Sequence, residues 1–263
     1  MKIAVLVKQV PDTETKIKLL PHQSGQSNVG IDPSGVKWII NPYDEFALEA
    51  GIALRDKTFA SVVDAFTVGP ARAGEALRTA LAMGCTGAFH VVADAPLESA
   101  DVAHALVAAL KKTGPYDFIL AGKVAIDDNA GAVFGMVAAL LDYPYLGGVT
   151  HLDVASATGP VHVECEREGG STYRYELSLP CVIAVDKGIN TPRYASLPGI
   201  MRSKKISIPT YSLADLAVTL EGNPPDEDFT LPPERPAGKK VTGSPEELVT
   251  EIMRYLHEEA KIL

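Results

Sequence analysis

No apolar run in this chain approaches the ~18 residues that a membrane-spanning helix needs, so direct membrane insertion is not expected. Positive charge is also in short supply: 24 Lys and Arg stand against 33 Asp and Glu, a formal balance of −9. Nucleic-acid binding requires a basic face to neutralise phosphates, and this balance argues against it. Cysteine is scarce and odd in number. Cys85, Cys165 and Cys181 lie far apart and form no C-x-x-C pair, which excludes a disulfide framework and favours buried thiols in a reducing cytoplasm. Aromatics make up only 6% of the residues, so the core is built of Ala, Val, Leu and Ile, which suits α/β packing better than a β sandwich. The opening MKIAVLVKQV is too short for a signal peptide and reads as a strand.

Several chemistries lack their residues. There is no G-x-x-x-x-G-K-[ST] and no G-x-G-x-x-G after the first strand, so neither a P-loop nor the dinucleotide fingerprint applies. The histidines (His22, His90, His104, His151, His162, His257) are scattered, with no H-x-x-x-H or G-x-S-x-G context. Asp127 and Asp128 could attract Mg²⁺, but no further ligand cluster supports a metal. Glu164 and Glu166 fall on one face of a predicted strand, where a solvated face is the plain reading. Without an acid–base set, binding or electron transfer is favoured over protic catalysis.

What is present is an alternation of short apolar strands and helices. Residues 2–7, 60–68, 88–92, 118–121 and 181–185 read as buried strands, and 42–54, 71–83, 99–112 and 133–141 as helices between them. This is the sequence form of a doubly wound, mostly parallel, Rossmann-like α/β sheet, whose ligands collect at the carboxyl ends of the strands. Residues 14–37 lack a long apolar period and suggest a loop or small hairpin. Residues 146–154, 161–166 and 173–179 read as alternating strands, and 190–205 as irregular in part. Residues 1–221 are expected to form the α/β domain and 222–263 an arm ending in an amphipathic helix, with Ser244 and Glu247 as its capping box and Leu248, Ile252, Tyr255 and Leu256 as its stripe.

Two corners point to a ligand. The stretch 116–144 is strand, Gly122, a polar loop with Asp127 and Asn129, Gly131, then a helix from Val133 to Leu141 before Pro144. A helix N-terminus facing a strand's carboxyl end offers free N–H groups and suits phosphate. The two carboxylates of the loop weigh against that, since they repel phosphate. Asn41, Pro42, Tyr43, Asp44 and Glu45 open the first clear helix, with Asn41 placed to cap it or to face the same ligand.

At these residues the chain resembles the beta subunit of electron-transfer flavoproteins over nearly its whole length. The matching segments are VKQVPD (7–12), NPYDE (41–45), RTALAMG (78–84), GK with AIDD (122–128), LPCV (179–182) and PRYASLPGIM (192–201). The resemblance implies a heterodimer whose alpha subunit holds a redox-active FAD, with AMP or a second FAD in this subunit. By position it implies a nucleotide site at Leu6, Asn41, Pro42, Tyr43, Asp44, Val68, Gly122, Val124, Ala125, Ile126, Asp127, Asn129, Ala130, Gly131, Ala132, Val133, Phe134 and Gly135. It further implies a partner-recognition loop near 192–202 with Tyr194, Leu197, Pro198, Ile200 and Met201, and Glu166 as a residue for partner release. The implied partners are the alpha subunit, a flavoprotein dehydrogenase such as an acyl-CoA dehydrogenase, and a quinone oxidoreductase, with the terminal arm on the alpha subunit. Ala132, Val133 and Phe134 depart from the family pattern, which has polar residues and glycine there. Alternatives are an electron-bifurcating member with a second FAD and NADH as donor, a subunit with an empty site, or a stand-alone ATP-pyrophosphatase-like nucleotide domain.

Overall fold

The computed structural model describes residues 1–20, 31–57, 59–166, 169–220, 230–233, 238 and 240–262. Gly25 and Gly30 of the expected excursion, and most of the arm between 221 and 237, lie outside the described residues. The chain divides into two compact units, Met1–Asp228 and Phe229–Leu263.

The first unit is built on a nine-stranded sheet. In chain order the strands are β1 (Lys2–Leu6), β2 (Gln9–Pro11), β3 (Trp38–Ile40), β4 (Val62–Gly69), β5 (Gly87–Val92), β6 (Phe118–Gly122), β7 (Tyr145–Val154), β8 (Val161–Glu166), β9 (Thr172–Leu177), β10 (Cys181–Val185) and β11 (Thr210–Ser212). The large sheet runs β11-β5-β4-β1-β6-β10-β7-β8-β9, and β2 and β3 form a separate antiparallel pair. Everything from β11 to β7 is parallel; β7, β8 and β9 continue it antiparallel. The strands after Pro144 therefore extend the main sheet, with β10 inserted between β6 and β7.

The helices are α1 (Pro42–Asp56), α2 (Gly74–Met83), α3 (Ser99–Thr113), α4 (Val133–Leu141) and α5 (Leu197–Ser203). A 3₁₀ turn at Ala71–Ala73 leads into α2, so that helix begins later than periodicity suggests. Strand side chains alternate between two cores. Ile3, Val5, Phe118, Leu120 and Ile183 pack with α1 and α2; Ala4, Leu6, Ile119, Ala121 and Val182 pack with α3 and α4. Both faces are thus covered, as a parallel sheet requires. All three cysteines are buried and none forms a disulfide, and burial pushes the thiols of Cys85 and Cys181 up to about 12.

From β1 the chain moves outward through β4 to β5, then returns to add β6 on the other side of β1. The order therefore reverses between β1 and β6, where doubly wound sheets open a crevice at their carboxyl edge.

The second unit contains helix α6 (Pro245–Arg254), followed by a π-helical turn at Tyr255–Glu259. Ser244 Oγ accepts from Glu247 N, and the Glu247 carboxylate accepts from Ser244 N at 2.8 Å, completing the capping box. Tyr255 and Leu256 lie in the π turn, so the expected four-residue stripe is not a single α-helical face. Ser244→Ala is expected to remove about 1 kcal/mol of helix stability, read as faster amide exchange across residues 245–250 with exchange elsewhere unchanged.

Candidate nucleotide site

The site is assembled around Asn41 and Asp44. Asn41 follows β3, and its N–H donates to Lys8 O at 2.9 Å, which fixes the start of α1 beside the end of β1. Although it occupies the N-cap position, its side chain makes no cap bond. Instead Nδ2 donates to Val124 O at 2.9 Å and Oδ1 accepts from Ile126 N at 3.2 Å. The expected helix cap is in fact a cross-link between two loops. Pro42, with no N–H to satisfy, and the acidic Glu45 in the first turn favour the start of α1 without the cap.

Asp44 is buried, 5% exposed, and ties three segments together. Its Oδ2 accepts from Lys8 N at 2.7 Å; its Oδ1 accepts from Asn41 Nδ2 at 2.9 Å and from Gly122 N at 3.2 Å. Burial pushes this carboxyl up to about 7, against the lowering effect of the three donors and the Lys8 charge. Gly122 permits the close approach: a Cβ there would lie 2.4 Å from Asp44 Oδ1 and 2.6 Å from the Tyr43 carbonyl carbon.

Above this knot lies a cavity of about 170 Å³ that opens to solvent. Its apolar walls come from Leu6, Val68, Leu97, Val102, Leu106 and Phe134, and its polar end from Lys8, Asn41, Asp44, Asp128 and the backbone of residues 130–133. Ala132, the residue before α4, supplies no side-chain cap, so the first N–H groups of α4 are left without a side-chain acceptor. Phe134 is 8% exposed and stacks on Tyr145, with ring centroids 6.0 Å apart.

The residues singled out from the sequence divide into two groups. Leu6, Asn41, Asp44, Val68, Gly122, Val124, Ala125, Ala130, Gly131, Ala132, Val133 and Phe134 line the cavity. Pro42, Tyr43, Ile126, Asp127, Asn129 and Gly135 do not. Asn129 takes a left-handed backbone (φ 53°), one of the few side chains suited to that geometry.

Sequence reasoning missed Val7, Lys8, Ala121 and the wall supplied by Leu97, just before α3, and by Ser99, Val102 and Leu106 within it. The α3 residues carry no separate signal, because a helix lining a cavity has the same periodicity as one filling a core. Lys8 Nζ lies 2.8 Å from both Asp127 Oδ2 and Asp128 Oδ2. Burial disfavours the Lys8 charge, but its bonds and attraction to the two carboxylates outweigh that and raise its pKa. Among the described residues, no group of three or more His, Cys, Asp or Glu is arranged to hold a metal.

A second cluster stands apart from the cavity lining. Tyr194, Leu197 and Met201 are 98%, 74% and 57% exposed, unusual values for large apolar side chains; Pro198 and Ile200 are also exposed. Leu197 is the first residue of α5, so the recognition loop expected at 192–202 is half loop and half helix. Arg193 grips Glu49 through Nε at 2.7 Å and Nη2 at 2.9 Å, and Asp56 through Nη1 at 2.9 Å. Ser196 Oγ caps α5 by accepting from Gly199 N at 3.1 Å, and Arg78 Nη1 donates to Ser203 O at its last residue and to Ile206 O just beyond, at 2.5 and 2.6 Å. Glu166 ends β8 opposite Thr172 and is exposed. Among the described residues, no helix is long and apolar enough to cross a membrane.

A family model described as "Electron transfer flavoprotein domain" matches residues 29–216. The chain is 37% identical over 270 residues to the electron transfer flavoprotein subunit beta of Bacillus subtilis, covering 100% of both chains. It is 37% identical over 267 residues to the mitochondrial subunit beta of Oryza sativa subsp. japonica, covering 100% of both. Against the subunit beta of Sus scrofa it is 36% identical over 260 residues, 96% of each chain.

Proposed function

The chain belongs to the electron transfer flavoprotein family as a beta-type subunit, and from that premise we propose that it carries AMP at the β1–β6 crevice and presents Leu197 to an electron-donating partner. Its role is electron transfer within a heterodimer with an alpha subunit. One observation carries the nucleotide reading. The cavity joins an apolar slot between Leu6, Val68 and Leu106 to the uncapped start of α4 across the crevice where the strand order reverses. A planar base fits the slot, and a phosphate fits the free N–H groups. Ala132 and Val133 contribute no polar side chains, so backbone donors would do the holding.

The redox FAD, bound mainly by the alpha subunit in this reading, supplies the electron chemistry. The residues of this chain bind, orient and shield. The proposed donor is a flavoprotein dehydrogenase of the acyl-CoA type and the proposed acceptor a quinone-reducing partner. Leu197 and Met201 supply a small apolar anchor whose support from Arg193 and Arg78 lowers the ordering cost of docking. Glu166 would act in partner release, and the terminal arm with α6 would pack on the alpha subunit. Three buried cysteines with no disulfide among them suit a reducing compartment, for which we propose the cytoplasm.

Denaturing the purified heterodimer and quantifying its nucleotides by chromatography tests the reading. One FAD and one AMP per dimer is the expected result. Two FAD would place the protein with bifurcating members, and one FAD with no adenine nucleotide would leave the crevice without this role.

A further inference from the structure

Among the described residues that line the cavity, Lys8 is the sole cation, and it faces a loop that carries two carboxylates. Those carboxylates pose a difficulty for any phosphate site, because Asp128 lines the same cavity as the start of α4. The loop does not depend on Lys8 for all of its hydrogen bonds. Asp127 Oδ1 also accepts from Asp128 N at 3.0 Å, and Asp128 Oδ1 accepts from Ala130 N at 3.0 Å. Lys8 adds charge: one ammonium shared between two carboxylates, reached across 119 and 120 positions of sequence. Its own backbone is pinned by Asp44, so the ammonium is delivered from a fixed point at the end of β1.

We propose that Lys8 is a positioning residue for the nucleotide: by neutralising part of the Asp127–Asp128 charge, it allows the loop before α4 to accept a phosphate dianion. This rests on the nucleotide reading given above. A phosphate monoester carries about −1.5 to −2 charge at pH 7, and two uncompensated carboxylates at one edge of its site repel it. Loss of the Lys8 charge is worth on the order of ten-fold in affinity at partly exposed positions.

The test uses the full heterodimer, stripped of nucleotide and titrated calorimetrically with AMP at low and high salt, with the unfolding temperature of each variant measured alongside. Lys8→Met is expected to bind AMP about ten-fold more weakly, and Lys8→Arg within about three-fold of the parent. Asp128→Asn keeps the Oδ1 acceptor for Ala130 N and removes one negative charge, so it is expected to bind at least as tightly as the parent. The Lys8→Met/Asp128→Asn pair is expected to recover most of the loss, and the differences to shrink at high salt. A purely structural latch gives the opposite pattern: Asp128→Asn alone weakens AMP, and the double variant is no better than Lys8→Met. Either result overturns the assignment to Lys8 while leaving the nucleotide reading standing. A parent heterodimer that binds no AMP overturns both.

Discussion

Asp44→Ala is expected to lower stability by about 3–5 kcal/mol at about pH 4 and, under the proposed function, to release the nucleotide. The substitution leaves Lys8 N and Gly122 N without their acceptor and leaves Asn41 Nδ2 with Val124 O alone. Each unsatisfied buried donor costs about 1–3 kcal/mol, and partial relaxation keeps the sum below its maximum. Function falls with it, because the same contacts hold β1, α1 and β6 in register around the cavity.

The effect also depends on pH, with a definite sign. The folded-state pKa of Asp44 is raised from 3.8 to about 7, so between those values the folded protein binds more protons at this site than the unfolded chain. The contribution is fully present below about 4, declines as pH rises towards 7, and is constant above. The stability gap between the parent and Asp44→Ala should therefore narrow as pH rises from about 4 to about 7. Denaturant melts at four pH values across that window check it; a gap that stays constant would show that Asp44 titrates at its ordinary value.

The second large effect concerns α5. Gly199 is buried where α5 crosses α2, and a Cβ at this position would lie 2.3 Å from Ala82 O and 3.1 Å from Ser196 Oγ. The clash is with backbone, so rotamer adjustment cannot relieve it; α5 itself must move. Gly199→Ala is expected to cost about 2–3 kcal/mol and to loosen Leu197 and Met201 from their seat. Under the proposed function, electron transfer from the dehydrogenase partner falls while nucleotide content holds, since the cavity lining includes no residue of α5. Amide exchange localised to residues 196–204, with unchanged AMP per dimer, is the expected signature. Normal partner kinetics in a protein with a displaced α5 would remove the recognition role from this helix.

Much of the fold is legible in local stretches of the sequence. Strands buried on both sides produce short continuous apolar runs, and amphipathic helices produce a 3.6-residue stripe; each pattern reports its own segment. So 118–121, 133–141 and 181–185 could be read directly, as could the capping box at Ser244 and Glu247, whose partners are three residues apart. The family resemblance likewise came from contiguous segments such as PRYASLPGIM.

What the tertiary structure alone decided involves residues far apart in the chain. Asn41 has the local signature of a helix cap, and only the approach of residues 124–126 makes it a cross-link instead. Lys8 carries no site signal of its own in the sequence, and only the fold sets it against Asp127 and Asp128. The α3 residues at the cavity read as core, because periodicity shows which face is apolar but not whether a neighbour fills the space beside it. Local sequence determined the elements and the family. The site arose from side chains meeting across some 80–120 positions, where no periodic pattern links the partners.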